Sequence, residues 1–252
     1  MQLVRRALLV VGRLAQRRDG ATIQELCDAL DIPGASMHRL LAALEEEQFI
    51  SRHRHSRRIF LGPAAADVGL AARRVAPIGP LLRDRLAELA AQTGEAVLLT
   101  ELLDNRAICT FRCGGELMEQ LSVAVGSTLP LHATAEARTL LIDMSRPEIA
   151  RLLAGSDLTG YSPRTPRSVS EVFTRVALIR QHGYGVSYDE FDAGIWSLAA
   201  PVRNGVGQVV ATVAVATAEA RVGRPALIDN LRAAVLAMTR AASAELGYQD
   251  HL

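Results

Sequence analysis

The chain has 252 residues, 49% of them apolar and 22% charged, which is enough for one large hydrophobic core or two smaller ones. No uncharged apolar run is long enough to span a bilayer, and the apolar first segment lacks a small-residue cleavage site, so we expect a cytoplasmic protein without membrane contact. The net charge of +1 is uneven: residues 1–75 hold 12 Arg and 8 acidic residues, whereas residues 76–252 hold 16 Arg and 19 acidic residues. This asymmetry indicates that only the first part binds nucleic acid.

Two amphipathic helices are predicted at the start of the chain. Apolar residues recur with helical spacing over Leu3–Arg17, and Gly20 ends that segment. Thr22 precedes the next apolar run, and Glu25 follows it three residues later, which is the pattern of a capping box. The second helix is therefore expected to begin directly after Thr22.

A tight turn, a third helix and a basic hairpin follow. The turn is Asp31–Gly34, and the helix after it has an apolar stripe with i, i+3, i+4, i+7 spacing at Met37, Leu40, Leu41 and Leu44. The opposite face carries Ala35, Arg39 and Ala42, flanked by Ser36 and His38. Two short strands, Phe49–Arg52 and Arg58–Leu61, enclose a loop rich in arginine and histidine.

The order helix, turn, helix and basic hairpin is that of a winged helix-turn-helix, which makes double-stranded operator DNA the first partner to consider. Arg39 is placed to read guanine in the major groove, and the arginines of the wing are placed to meet phosphates or the minor groove. An ordinary solvated helix and a merely basic hairpin are the bland alternatives. The predicted DNA-binding residues are Thr22, Gly34, Ser36, His38, Arg39, Arg52, Arg54, Arg57 and Arg58.

The predicted domains are a winged helix-turn-helix over residues 1–62, an alanine-rich linker helix over 63–76 and a larger domain over 77–252. In the larger domain we expect helices at 81–93, 134–144, 147–153, 169–182 and 225–246, and strands at 96–103, 106–112, 118–125, 184–188, 195–202 and 209–216. Helices and strands mix without a strict βαβ alternation, which predicts an α+β fold with a largely antiparallel sheet.

Four segments of the chain are informative in their order and spacing: Pro33–Leu41 (PGASMHRLL), Leu129–Ala135 (LPLHATA), His182–Val186 (HGYGV) and Gly194–Val202 (GIWSLAAPV). Together they resemble the IclR family of transcriptional regulators, over nearly the whole chain. The resemblance implies a winged helix-turn-helix, a linker helix and a GAF-like effector domain, assembled as a homodimer or a dimer of dimers. Where the family usually has Lys-Ser-Thr, this chain has Gly-Ala-Ser at 34–36. That departure moves the expected DNA contacts toward Arg39 and the wing.

The resemblance also implies a small-molecule effector site in the second domain. Thr134 is predicted to cap a helix, and in similar proteins the first amides of this helix, here those of Ala135 and Glu136, hold the carboxylate of a small organic acid. The family's polar anchors fall at Ser187, Ser197, Ala214 and Ala216, and its apolar walls at Met118, Leu121, Leu129, Ala193 and Ile195.

Three residues of this site bear on the kind of ligand that it would bind. Ala214 and Ala216 stand where relatives that bind very small keto acids often carry hydroxyls, which favours a roomier pocket and an aromatic acid or derivative. Glu136 leaves two alternatives open. It points outward and compensates the helix dipole, or it faces the pocket, where it repels an acid or accepts a hydrogen bond from an amine or a hydroxyl. Trp196 alternates with the pocket residues of its strand and should face the opposite side.

No cofactor, metal or catalytic role is predicted. Cys27, Cys109 and Cys113 do not make a set of four metal ligands, so reduced thiols are expected. The sequence contains no nucleophile elbow, zinc-protease motif or P-loop, and His132 is expected to order a turn. The leading hypothesis is a repressor whose operator affinity an effector controls. The alternatives are an activator, an enzyme with a DNA-binding appendage and a constitutive architectural DNA binder.

Overall fold

The structure, a computed structural model, describes residues 2–15, 17, 19–53, 56–68 and 78–249. The chain divides into two compact units, Met1–Pro77 and Ile78–Leu252. Each unit has its own buried hydrophobic residues.

As far as Leu61, the described part of the first unit contains three helices and a two-stranded antiparallel sheet. The elements are α1 (Gln2–Ala15), α2 (Ile23–Leu30), α3 (Gly34–Glu46), β1 (Ile50–Arg52) and β2 (Ile59–Leu61). Their core is formed mainly by Val10, Leu14, Leu26, Ile32, Met37, Leu40, Leu41, Ile50 and Ile59. The predicted winged helix-turn-helix arrangement is confirmed.

The turn between α1 and α2 depends on a glycine and a capping box. Gly20 has a φ of +65°, and a Cβ at this position would lie 2.6 Å from the carbonyl oxygen of Ile59. This close approach lets the neighbouring Ala21 pair with Ile59 of β2. Thr22 and Glu25 form the predicted capping box, so α2 begins as expected.

Residues 63–68, which follow the wing, are helical. The predicted linker helix, residues 63–76, extends beyond this point, and its part from residue 69 onward lies outside the described residues. We therefore keep the linker as a proposal.

The second unit is built on a six-stranded antiparallel sheet. Its strands are β3 (Ala96–Leu103), β4 (Arg106–Cys113), β5 (Thr128–Leu129), β6 (Gly185–Tyr188), β7 (Ile195–Arg203) and β8 (Val209–Ala218), in the spatial order β5-β4-β3-β8-β7-β6. Its α-helices are α4 (Ile78–Thr93), α5 (Ala135–Thr139), α6 (Arg146–Leu153), α7 (Val169–His182) and α8 (Pro225–Glu245). The α+β class and the antiparallel sheet are confirmed.

Helices cover both faces of this sheet, which explains why its strands are apolar almost throughout. One core contains Leu98 and Ala216 together with residues of α5, α6 and α7. The other core contains Leu99 together with residues of α4 and α8. Trp196 belongs to this second core, on the side away from Ser197, as the alternation along β7 predicted.

One predicted element of the second unit is wrong, and another is shorter than predicted. The strand expected over residues 118–125 is absent: a short 3₁₀ helix, Glu116–Glu119, is followed by turns and irregular backbone. The guanidinium of Arg112 donates to the carbonyl oxygens of Met118 and Val123, so this segment bonds to a side chain instead of a neighbouring strand. The helix expected over residues 134–144 ends at Thr139, and turns follow.

Three further observations apply to the part of the chain that the structure describes. No helix in it is long and apolar enough to cross a membrane. No group of three or more potential metal ligands is found there. All three cysteines are free thiols, with Cys109 buried and the other two half-buried.

Candidate DNA-binding surface and ligand cavity

The first turn of α3 presents exposed backbone amides. Pro33 precedes the helix and provides no side-chain cap. Gly34 and Ala35 are exposed, and nothing lies within 4 Å of a Cβ built on Gly34. Uncapped amides at the start of a helix are suitable donors to a phosphate oxygen. The small residues at 34 and 35 thus allow close approach of a DNA backbone.

The outer face of α3 carries two groups that can reach base edges. His38 and Arg39 are exposed, and neither side chain makes a hydrogen bond or an ion pair with the described residues. Ser36 is half-buried and, with Arg39, borders a groove beside α1. Met37 and Leu40 on the inner face fix the rotation of the helix by packing into the core. Arg39 is therefore the best-placed base-reading group on this helix.

The wing arginines have different roles. Arg58 donates to the carbonyl oxygens of Asp19 at 2.7 Å and Gly20 at 3.1 Å, and to the carboxylate of Glu25 at 3.2 Å. Arg58 therefore braces the wing against the turn before α2. Its Nε and Nη2 are engaged within the unit, so a DNA contact by Arg58 stays a prediction.

Arg52 is also engaged, because its Nε lies 2.8 Å from the carboxylate of Glu45 on α3. Arg57, in contrast, is exposed and has no ion pair with any described residue. The predicted contact Arg54 lies outside the described residues. Arg57 remains the clearest phosphate-binding candidate in the described part of the wing.

Thr22 acts first as a helix cap. Its hydroxyl accepts a hydrogen bond from the amide of Glu25 at 3.2 Å, and its own amide donates to the Glu25 carboxylate at 2.9 Å. The bond from the Thr22 amide is the largest cause of a lowered pKa at Glu25, and the nearby charges of Arg58 and Arg17 act in the same direction. A DNA contact by Thr22 stays a prediction.

Replacing Arg58 and Arg57 separately by alanine should separate bracing from DNA contact. Arg58→Ala should lower the free energy of unfolding of the first unit by about 1–2 kcal/mol, because three partly screened charge-assisted bonds are lost. Arg57→Ala should leave stability unchanged, weaken binding to all DNA sequences alike and reduce the salt slope by about 1. Urea titration and anisotropy at several salt concentrations measure both effects, and identical behaviour of the two variants would contradict this division.

The second unit encloses a small cavity between the sheet and the start of α5. Its volume is about 30 Å³, which is room for one or two water molecules. The lining residues are Leu98, Leu121, Val123, Thr134, Glu136, Ser187, Phe191, Asp192, Ile195, Ser197 and Ala216. Six of the predicted effector-site residues are among them: Leu121, Glu136, Ser187, Ile195, Ser197 and Ala216.

The strand register determines which polar side chains lie next to one another in the cavity. Ser187 of β6 pairs with Ser197 of β7, and Ser197 pairs with Ala216 of β8. These three side chains therefore form one row across the sheet, on the face that α5 covers. Ser187 and Ser197 are each 6% exposed.

In the next row of the sheet, α5 covers the strands. Ala214 and Ala135, which were predicted to contact the effector, therefore do not line the cavity. Ala214 packs with Ala199 and Ala135 in a small buried cluster. Small residues are needed here because α5 lies directly on the strands. Ala214 thus makes room for a helix, whereas Ala216 lines the cavity, and the roomier pocket stays a prediction.

Three predicted wall residues do not line the cavity either. Ala193 is exposed in the β6–β7 turn, where the carboxylate of Asp189 accepts the amide of Gly194 at 2.8 Å. Leu129 is in the apolar core, and Met118 packs on the edge of that core. The cavity also contains residues that the sequence did not predict, because β3, the loop over 118–125 and the β6–β7 turn contribute them: Leu98, Val123, Phe191 and Asp192.

Glu136 is the buried acidic group of the cavity. It is 4% exposed, so the outward-pointing alternative is wrong. Burial raises the pKa of its carboxyl above the ordinary value, while hydrogen bonds from its own amide and from Ser197, the charge of Arg138 and a bond from Thr134 act in the opposite direction. The net effect stabilises the protonated form.

Glu136→Gln should make the protein less sensitive to rising pH. A raised folded-state pKa gives stability that is present below the ordinary value of 4.5 and is lost as the pH rises through the folded-state pKa. The melting temperature of the variant should therefore exceed that of the parent by a margin that grows as the pH rises above 4.5. Glu88→Gln, an exposed position on α4, is the control. A margin that stays constant with pH would contradict the raised pKa.

A buried ion pair holds α5 in place beside the cavity. Arg138 and Glu190 are 0% and 2% exposed at their side chains, with 2.6 Å between nitrogen and oxygen. Arg138 also donates to the carbonyl oxygens of His132 at 2.6 Å and Val186 at 3.2 Å. His132 is itself buried, and its Nε2 lies 2.9 Å from the carbonyl oxygen of Thr159, consistent with the expected structural role.

A winged helix-turn-helix with an exposed arginine on its third helix, in one chain with an α+β unit that encloses a polar cavity, defines a class of bacterial DNA-binding regulators. The chain belongs to the IclR family of transcriptional regulators. The family description "IclR helix-turn-helix domain" matches residues 3–54, and "Bacterial transcriptional regulator IclR C-terminal" matches residues 73–244.

Several known proteins are similar over nearly their full length. The HTH-type transcriptional regulator XynR of Escherichia coli is 26% identical, with 98% of each chain covered. The HTH-type transcriptional regulator KipR of Bacillus subtilis is 29% identical, with 90% of each covered. The crystal structure of the Agobacterium tumefaciens repressor BlcR superposes with a TM-score of 0.63 at 22% identity, covering 99% of each chain, which supports the shared fold.

Proposed function

We propose that this regulator is a repressor that binds double-stranded operator DNA through α3 and the wing, and that a small molecule in the cavity of the second unit changes its affinity for the operator. The observation that carries the proposal is the exposed, unpaired Arg39 on the outer face of α3. An exposed arginine on the outer face of this helix, with no bond to any described residue, is available for a base edge.

A homodimer, or a dimer of such dimers, is part of the proposal. Four apolar side chains of α1 are exposed in the single chain: Leu3, Val4, Leu8 and Leu9, at 69%, 65%, 66% and 45%. Apolar side chains clustered at one helix end are typical of an interface between copies. Two copies would present two reading helices to the two half-sites of one operator. Analytical ultracentrifugation of the full chain tests this part.

The size of the cavity favours a smaller effector than the sequence alone suggested. The expectation of an organic acid, with an aromatic one favoured, used the amides of α5 and the alanines of β8 as support. The amide of Glu136 faces its own carboxyl group, Ala214 is covered by Ala135, and the cavity is small. We therefore propose that the effector is a small molecule.

The test is footprinting of the promoter beside the gene that encodes the chain, with and without candidate ligands at fixed salt. A repressor is supported if a ligand reduces the protection of the operator and if reporter expression rises when the gene is deleted. Expression that falls on deletion would instead indicate an activator. Protection that no ligand changes would favour a constitutive DNA binder, and chemical turnover of a bound ligand would favour an enzyme.

A further inference from the structure

The cavity of the second unit contains acidic groups and no cationic ones among its lining residues. Glu136 is buried, and Asp192 is half-buried at the edge, where its carboxylate accepts the amide of Ser122 at 3.2 Å. The neighbouring Arg138 is fully buried and already bonds to Glu190 and to two carbonyl oxygens. An incoming anion would thus meet two carboxyl groups and no available cation.

The donors that an anion would need lie around the carboxyl group of Glu136. The amide of Glu136 and the hydroxyls of Ser197 and Thr134 are close enough to this carboxyl group to act on its pKa, in the direction opposite to burial. The Thr134 hydroxyl in addition accepts the amide of Ala137 at 3.2 Å. The side chain of Glu136 therefore occupies, with its own carboxyl group, the place that a carboxylate ligand would take.

Ser187 is the polar group of the cavity that remains available. Its side chain is 94% buried, since its exposure is 6%, and it lines the cavity. No hydrogen bond from its hydroxyl to any described residue is found. Its oxygen is accessible from the cavity, so it can bond to water or to a bound group. Ser187 lies in the row next to Ser197, so a group bound to it would also lie near Glu136.

We propose that the effector is a small amine whose ammonium group binds between Glu136 and Ser187, and that carboxylic acids of the same size are excluded. This inference rests on the proposed function, because it concerns the same cavity. An ammonium group donates in three directions and offsets the cost of a buried carboxylate. The apolar walls, Leu98 and Ile195 among them, suit a short carbon chain.

Binding of an amine should also release a proton. Burial raises the pKa of Glu136, and a cation beside it favours the ionised form. The other charged or titratable groups near Glu136 are Arg138, Cys109 and Asp192. Cys109 has a pKa raised to about 11 by burial, so it does not ionise near neutral pH. The heat of amine binding should therefore depend on the ionisation heat of the buffer.

The experiment uses matched probes and the full-length protein. Isothermal titration calorimetry without DNA compares methylamine with formate, and ethylamine with acetate, because the cavity is small. We expect each amine to bind more tightly than its acid, and Glu136→Gln and Ser187→Ala each to weaken the amine about 10- to 100-fold. Glu136→Gln should also improve binding of the acids. Glu88→Gln, far from the cavity in sequence and exposed, should behave like the parent.

Three results would overturn the inference: an acid that binds the parent as tightly as its matched amine, no amine binding at the highest soluble concentration, or amine affinity unchanged in Glu136→Gln. Calorimetry without DNA measures which class of ligand binds. Titration of operator DNA in the presence of the amine measures whether ligand binding changes operator affinity. Amine binding without any change in operator affinity would therefore leave the ligand class intact and refute the proposed function alone.

Discussion

Arg39→Ala should lower affinity for the operator about 10- to 100-fold, because one bidentate arginine–guanine contact supplies about 1–3 kcal/mol of discrimination. Arg39 is exposed on α3 and has no ion pair in the described part of the chain. Affinity for a scrambled duplex should change far less, because phosphate contacts remain. Fluorescence anisotropy with both duplexes at one salt concentration measures the ratio.

Arg39→Lys is the matched variant for this prediction. Lysine keeps the positive charge but cannot present the planar fork that bonds two acceptors of guanine. It should therefore retain binding to scrambled DNA and lose most of the preference for the operator. If both variants weakened the two duplexes equally, Arg39 would be a phosphate contact, and base reading would belong to another residue.

Arg138→Met should cause the largest loss of stability, about 3–5 kcal/mol, because it leaves the carboxylate of Glu190 buried without its main partner. It also removes donors from the carbonyl oxygens of His132 and Val186. Urea unfolding followed by tryptophan fluorescence measures the loss, since the single tryptophan, Trp196, lies in the core of the second unit.

Two further variants make the Arg138 result interpretable. The double variant with Arg138→Met and Glu190→Leu should be more stable than Arg138→Met alone, because no unpaired charge is then buried. Arg85→Ala, which breaks an exposed pair with Glu245, should change the unfolding midpoint little. An Arg138→Met protein as stable as the Arg85→Ala protein would show that the buried pair does not hold the unit together.

The parts of the structure that depend on local pattern were predictable from the sequence. The capping box at Thr22 and Glu25 has a short-range signature, and the facing of Trp196 follows from the two-residue period of a strand. The stripe on α3 fixed which side of the helix Arg39 occupies. These features need no knowledge of distant residues.

The parts that depend on contacts distant in the sequence were not predictable. Leu121, Val123 and Val125 alternate as in a strand, yet Arg112 bonds to carbonyl oxygens of this segment and holds it as a loop. Arg58 belongs to a run of arginines, and its partners Asp19, Gly20 and Glu25 are brought near only by folding. The inward direction of Glu136 likewise depends on the sheet beneath it.

The bracing by Arg58 has a consequence for the thermodynamics of association. Because it fixes β2 of the wing to the turn before α2, the described part of the reading surface is ordered before DNA arrives. Rigid surfaces lose less conformational entropy on binding than segments that fold against their target. The heat-capacity change on binding the operator should therefore match the apolar area buried, without the excess that coupled folding adds.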